Sequence, residues 1–295
     1  THTGPMKLGM VGLGRMGGNM AERLRRAGHQ VVGFDPHSEA ADVASLADLV
    51  AALDPPRLVW VMVPAGDPTE GVVRELGERL DAGDLVVEGG NSNWTDSVRR
   101  GELLGARGVG FVDAGVSGGV WGLENGYCLM VGGSDEHVAM AQPVFDDLAP
   151  EDGFAHVGKV GTGHFTKMVH NGIEYGLMQA YAEGYEILDA SGLGIDAHAA
   201  LSAWRRGSVV QSWLLDLLVA ALERTPHLEG IRGVAMDSGE GRWTVNEAVR
   251  LGVPAPVISA ALFARFSSQK ESSTAMKVVA ALRHEFGGHA VEVEQ

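Results

Sequence analysis

"GMVGLGRMGGNM", Gly9–Met20, is the stretch on which the fold turns. It contains the spacing Gly12-x-Gly14-x-x-Gly17. A bare glycine pattern says little, but this one follows a short apolar run, "KLGMV", and opens a helix, which is the setting a phosphate-binding turn requires. There the first glycine makes the tight turn and the second lets a pyrophosphate approach the backbone. The third lets the helix pack on the strand, so that the phosphates sit at the helix N-terminus. Gly12, Leu13, Gly14, Arg15, Met16 and Gly17 are therefore candidate dinucleotide contacts. About 20 residues further on, where such a fold carries its ribose-binding acid, "VVGFDP" ends a second strand at Asp35. A carboxylate there accepts hydrogen bonds from ribose hydroxyls and repels a 2′-phosphate. Pro36, His37 and Ser38 follow, with no arginine among them, so the expected cofactor is NAD rather than NADP.

The pattern repeats outward. "QVVGFD", "RLVWVMVP", "DLVVEGG" and "GVGFVDAG" are apolar runs ending in Gly, Pro or Asp, roughly 20–30 residues apart, the repeat of a parallel sheet covered on both faces. "YCLMVGG" and "FAHVG" extend the series. Val63, Pro64 and Ala65, at the end of the third run, are expected to line the cofactor channel, and Trp60 to fill core. After Gly161 the texture changes to long helical patterns without strand alternation. "DAHAALSAWRRG" opens on an aspartate cap and closes on arginines and glycine, and Ile258–Phe286 reads as helical over a long span. The expected architecture is an N-terminal α/β domain, 6–160, with a Rossmann-like doubly wound parallel sheet, followed by an all-α domain, 161–295.

Bulk properties agree with a soluble two-domain protein. The chain has 295 residues, 45% apolar and 21% charged, enough for a sizeable core. No apolar stretch is long enough to cross a membrane, and the N-terminus shows no signal peptide. The leading "THTGP" reads as an appendage and Met6 as the natural start. A single cysteine, Cys128, precludes an internal disulfide and fits a reducing, cytoplasmic setting; within "GYCLMVGG" it reads as a buried structural thiol. The formal charge of −15 argues against nucleic acid and anionic membranes as partners. It also means that an anionic substrate would need locally gathered positive charge. No His, Cys or Asp cluster has metal-ligand spacing, so no metal is expected.

"GTGHFTKMVHNGIEYGLMQ", Gly161–Gln179, puts Lys167, His170, Asn171 and Glu174 within about a third of a helical circumference. Met168, Val169, Ile173 and Leu177 fill the remaining faces. A helix apolar on most sides is expected to be buried, and its polar stripe must then face a cavity or be satisfied internally. Periodicity alone leaves open whether Lys167 and Glu174 are solvated with His170 in the core, or whether the stripe is catalytic.

This helix, with "VEGGNSNWTDS" (Val87–Ser97) and "DAGVSGGVWGLENG" (Asp113–Gly126), resembles the decarboxylating 6-phosphogluconate dehydrogenases over nearly the whole chain from Met6. The resemblance implies oxidation and decarboxylation of a phosphorylated sugar acid with reduction of NAD. Lys167 would be the general base toward the C3 hydroxyl, for which its ammonium must give up a proton readily. Glu174 would be the acid that later protonates carbon. His170, Asn171 and Tyr175 would hold substrate, Ser117, Gly118 and Gly119 its carboxylate end, and Asn91 would stand between cofactor and substrate. "LFARFSS" places Arg265 at a phosphate-binding arginine. "LRHEFGGHAVE" matches a tail, Arg283 to His289, that completes a partner subunit's site in a homo-oligomer. Two departures stand out. The chain matches a short form, lacking the second block of helices of the longer members. In "DSGEGRWT", Ser238 also occupies the position of a phosphate-binding lysine, with Arg242 as a conceivable substitute. A β-hydroxyacid dehydrogenase acting without decarboxylation, an enzyme for a different aldonate and a non-catalytic NAD-binding regulator are the competing readings.

Overall fold

The computed structural model describes residues 4–295; Thr1, His2 and Thr3, within the stretch read from sequence as an appendage, lie outside the described residues. Two compact units make up the chain, one reaching to Met168 and one beginning at Val169.

In the first unit the order is β1 (Lys7–Val11), α1 (Arg15–Arg26), β2 (Gln30–Phe34), α2 (Leu46–Ala51), β3 (Leu58–Val61), α3 (Asp67–Arg79) and β4 (Leu85–Glu88), then α4 (Trp94–Gly105), β5 (Gly110–Ser117), α5 (Gly122–Asn125), β6 (Cys128–Gly132), α6 (Asp135–Leu148) and β7 (Phe154–Gly158). The strands form one sheet in the order β2-β1-β3-β4-β5-β6-β7. Strand order reverses between β1 and β3, the switch point where such sheets bind ligands. β3 and β4 are buried at every residue, as strands covered on both faces must be. One face carries Met10, Leu24, Trp60 and Phe145; the other carries Val59, Leu76, Leu104 and Phe111. Trp60 is fully buried, edge-on to Phe145 at 5.8 Å, and fills core as expected.

Two expectations need correcting. The sheet is not wholly parallel: β6 runs antiparallel to β5, and β7 runs parallel to β6. The connection Gly118–Tyr127 holds only a 3₁₀ turn and α5, short of the dozen or so residues that a parallel crossover takes. Cys128 is exposed rather than buried, because it opens β6 ahead of the residues that the sheet covers.

After β7 the chain is helical: α7 (Thr162–Ala190), α8 (Ala197–Trp204), α9 (Trp213–Arg224), α10 (Glu240–Leu251), α11 (Pro256–Ser268) and α12 (Thr274–Gly287). Asp196 caps α8 as expected, accepting from the Ala199 amide at 2.9 Å. The helical span expected over Ile258–Phe286 is divided between α11 and α12. The break falls at 269–273, where the Ser273 hydroxyl accepts from the Met276 amide at 3.2 Å and starts α12. Serine competes for backbone hydrogen bonds in this way, which favours caps over helix interiors. Among the described residues no helix is long and apolar enough to cross a membrane.

Candidate active site

The glycine turn has a backbone geometry that suits the three tasks expected of its spacing. Gly12 has φ +95°, and a Cβ there would lie 2.2 Å from the Met62 carbonyl oxygen. A Cβ on Gly17 would lie 2.0 Å from the Gly12 carbonyl oxygen, so helix and turn are in backbone contact. Beside Gly14 there is nothing within 4 Å, which leaves room for a ligand. Gly14 is also the N-cap of α1 and supplies no side-chain cap, whereas Ser45, Asn93 and Ser134 cap α2, α4 and α6. The first-turn amides of α1 are thus left for an outside acceptor, and the helix dipole favours an anion there.

A cavity of about 430 Å³ opens at this turn. Gly14, Arg15, Met16, Gly17, Val63, Pro64, Ala65 and Asn91 line it, all expected from sequence; Met62, Gly89, Gly90 and Val116 line it too. Met62, Gly89 and Gly90 follow the ends of β3 and β4 and Val116 is the next-to-last residue of β5, and the strand pattern alone would have included them. Gly12 and Leu13 stand behind the opening. The Leu13 amide donates to Asp35 Oδ2 at 2.9 Å and the His37 amide to Asp35 Oδ1 at 2.8 Å. Each carboxylate oxygen keeps a lone pair for a ribose hydroxyl. Open backbone, uncapped helix and fixed acid together fit an adenine dinucleotide.

Lys167 is held from below by glycines. Ideal Cβ atoms on Gly115 would sit 2.5 Å from the Lys167 Cβ, and on Gly163 2.6 Å from the Asp113 carbonyl oxygen. The first turn of α7 therefore lies directly on β5 and β6. Asp113, fully buried on β5, anchors that turn: Oδ1 accepts from the Gly161 amide at 2.7 Å and Oδ2 from the His164 amide at 2.8 Å. Lys167 itself is buried, with 8% of its surface exposed.

The first turn of α7 also meets, through His164, a polar group absent from the sequence reading. Glu88, fully buried at the end of β4, accepts from the Gly90 amide at 2.9 Å through Oε1. Its Oε2 makes no hydrogen bond and lies 3.4 Å from His164 Nδ1. That nitrogen is 2.6 Å from Ser97 Oγ, and His164 Nε2 is 3.1 Å from the Ala114 carbonyl oxygen. Buried Arg100 donates to Ser92 Oγ at 3.1 Å and to Glu70 Oε1 at 2.8 Å. The string fixes the Gly89–Ser92 loop that presents Asn91. Burial pushes the Glu88 carboxyl up, against the pull of His164 and the Ser92 hydroxyl. The sign follows: a raised folded pKa gives stability that is fully present below the unfolded value, 4.5, and is lost as pH rises through the folded value. Glu88→Gln, neutral at all pH, is therefore expected to melt above wild type at pH 8 and to match it at pH 4. Differential scanning calorimetry at the two pH values checks this; a gap that fails to widen with pH refutes it.

The second unit gathers the other polar residues. His170 Nδ1 lies 2.9 Å from Asn171 Oδ1, and Glu174 is half-buried one turn on. Tyr175 is buried; its hydroxyl accepts from the Ser238 amide at 3.1 Å, and the Arg265 guanidinium lies 3.5 Å from its ring centroid. The Ser238 hydroxyl donates to the Glu240 carboxylate. Arg242 pairs with Asp237 at 2.8 Å, so it does not stand in for the lysine missing at Ser238. The apolar flank of α7 is not all buried as expected. Ile173 and Leu177 are 52% and 44% exposed, because Ala261 and Leu262 of α11 pack against the Tyr175 face instead. In the first unit, Ser117 ends β5, and Gly118 and Gly119 follow at φ +150° and +53°, backbone that suits glycine. Arg283 and His289 are exposed; α12 has no buried residue, and the structure does not bring this tail to Tyr175 or Arg265.

A dinucleotide-binding sheet followed by a helix that carries a buried lysine, with amide, imidazole and carboxyl groups along one face, defines a pyridine-nucleotide dehydrogenase. The family follows from comparison. Residues 7–161 match the NAD binding domain of 6-phosphogluconate dehydrogenase and residues 163–293 match the 6-phosphogluconate dehydrogenase C-terminal domain; the chain belongs to this family. It is 42% identical to YqeC of Bacillus subtilis, covering 97% of this chain and 99% of that one. It is 41% identical to the NAD(+)-dependent, decarboxylating 6-phosphogluconate dehydrogenase of Haloferax volcanii, covering 97% and 98%. The Plasmodium falciparum 6-phosphogluconate dehydrogenase structure superposes with a TM-score of 0.77 at 25% identity, over 98% of this chain but 66% of that longer one.

Proposed function

We propose that this chain oxidises and decarboxylates 6-phospho-D-gluconate to ribulose 5-phosphate and CO₂, reducing NAD. The observation that carries the reading is Lys167: a buried lysine, seated on glycines, that opens the polar stripe of α7. Full-length similarity to the Haloferax enzyme supports the same activity. On this reading 6–160 is the nucleotide-binding domain, and 161–295 is the substrate-binding and dimerisation domain.

Neutral Lys167 takes the proton of the C3 hydroxyl as hydride leaves C3. Gly12–Gly17, Asp35, Val63–Ala65 and Asn91 would hold NAD, which would supply the hydride acceptor. Protonated Lys167 then polarises the C3 keto oxygen; the bond from C2 to the carboxylate breaks, CO₂ departs and its electron pair forms an enediol. Glu174 protonates the carbon that bore the carboxylate, and the product is the ketose. A β-keto acid is its own electron sink, so the chain's residues need only move protons and orient groups. His170, Asn171 and Tyr175 position hydroxyls, Ser117, Gly118 and Gly119 hold the carboxylate end, and Arg265 meets the phosphate. Arg283 and His289, on an exposed tail, act in a partner's site, so the working form is a cytoplasmic homo-oligomer and the isolated protomer is inactive.

Steady-state rates with 6-phosphogluconate and gluconate, each with NAD and NADP, following NADH and CO₂ together, test the assignment. NADH without CO₂, or turnover of 3-hydroxyisobutyrate in place of 6-phosphogluconate, would favour a non-decarboxylating β-hydroxyacid dehydrogenase. That rival has support from a Mycobacterium tuberculosis 3-hydroxyisobutyrate dehydrogenase structure of nearly equal length, with a TM-score of 0.73 and 25% identity. Asp35→Arg is expected to raise the kcat/KM ratio of NADP to NAD by about 100-fold, since it removes a ribose acceptor and a repulsive charge together and adds a phosphate partner. An unchanged ratio would remove Asp35 from the ribose site.

A further inference from the structure

The family lysine that would meet the substrate's phosphate is Ser238 here, and its neighbours are occupied. The Ser238 hydroxyl is spent on Glu240 and the Arg242 guanidinium on Asp237. A phosphomonoester is doubly charged near neutral pH, and within its own subunit Arg265 is a thin counterpart in a chain of net charge −15.

A cavity of about 250 Å³ beside Arg265 supplies another cation. Arg232 and Arg265 both line it, with Ser268 and Gln179, and no acidic side chain among the described residues does; the Ser268 hydroxyl donates to the Arg265 carbonyl at 2.7 Å and so serves the wall. Its wall is a pinned loop. The Ala235 amide donates to Ser268 Oγ at 3.0 Å, Gln269 Nε2 donates to the Ala235 carbonyl at 3.0 Å, and Arg265 Nη1 donates to the Met236 carbonyl at 3.1 Å. The loop that carries Arg232 is therefore held to the C-terminal end of α11, and Arg265 is clamped between that loop and the Tyr175 ring. Arg232 is exposed and makes no salt bridge among the described residues, unlike Arg242. A cavity lined by two arginines and by no carboxylate is an anion site by the chemistry of its donors.

Resting on the reading of the substrate given above, we infer that Arg232 is a substrate-specificity residue: with Arg265 it binds the distal phosphate, replacing the lysine lost at Ser238. The phosphate would thus be met from the 232–236 loop rather than from the start of α10.

The test is Arg232→Gln in the full chain, assayed with NAD against 6-phosphogluconate and gluconate. Removal of one charge-assisted hydrogen bond weakens binding by roughly 10- to 100-fold. KM for 6-phosphogluconate is expected to rise by that factor, while kcat falls less than about threefold and KM for NAD stays put. Arg232→Lys should recover part of the loss. With gluconate, which lacks the phosphate, wild type and variant should agree within about twofold. Inorganic phosphate should inhibit wild type competitively against 6-phosphogluconate and the variant much more weakly. An unchanged KM for 6-phosphogluconate, or an equal loss with gluconate, overturns the assignment of Arg232. A wild type that fails to oxidise 6-phosphogluconate at all instead overturns the functional reading, and this inference with it.

Discussion

Lys167→Met is expected to lose at least about 1000-fold in kcat with 6-phosphogluconate, while NADH binding, followed by fluorescence titration, stays within about twofold. General base catalysis by a positioned side chain contributes roughly 10²–10⁴-fold, and here the same nitrogen serves twice, as base toward the hydroxyl and as acid toward the keto oxygen. Methionine is the informative replacement because it keeps the unbranched stem that packs over Gly115. The seat of α7 stays filled, and only the amine is lost. Binding of NADH should survive because the residues that line the nucleotide cavity lie on the strand ends and the α1 turn. Turnover near that of wild type would remove the lysine from the chemistry. Loss of NADH binding in parallel would show that the substitution had disturbed the first unit, and Lys167 would be structural.

Much of this arrangement was legible in the sequence, because the features with strong local causes were also the ones with strong local signals. A glycine that needs φ +95°, or that sits in backbone contact with its neighbour, admits no other residue, so Gly12 and Gly17 announce their geometry. The apolar runs of β3 and β4 announce burial on both faces. What escaped was determined by tertiary partners. The reversal of β6 depends on the length of one connection, and the helix break near Ser273 on a cap within a continuous apolar pattern. Glu88 and His164 escaped for a different reason. An acid closing a buried strand and a histidine near a helix start are each ordinary, and only the fold brings them within 3.4 Å. Arg242 showed the opposite failure: an arginine close in sequence to the missing lysine, yet committed to Asp237. The exposure of Ile173 and Leu177 marks a further limit, since periodicity identifies an apolar face but not what covers it.

Asp113 offers the sharpest test of how the first unit places its lysine. Asp113→Ala is expected to destabilise the protein by about 3–5 kcal/mol, because two amides lose charge-assisted acceptors worth roughly 1.5–3 kcal/mol each and remain buried. For a chain of this size that is a fall in melting temperature of roughly 5–8 °C. The helix start also loses the negative charge that its dipole favours. Asp113→Asn keeps one acceptor oxygen and should fall between alanine and wild type, a ranking that a mere loss of volume would not produce. Activity should fall along with stability. The Gly161 and His164 amides that Asp113 holds at 2.7 and 2.8 Å are in the turn just before Lys167, and a displacement of about 1 Å in a reacting group can cost 10²-fold. Calorimetry and kcat on the same three proteins, at a temperature where all are folded, separate the two effects. If the alanine variant melts with wild type, Asp113 does not anchor α7. If it melts low but turns over normally when folded, the anchor serves the fold alone, and the glycine seat under Gly115 and Gly163 is sufficient to place the lysine.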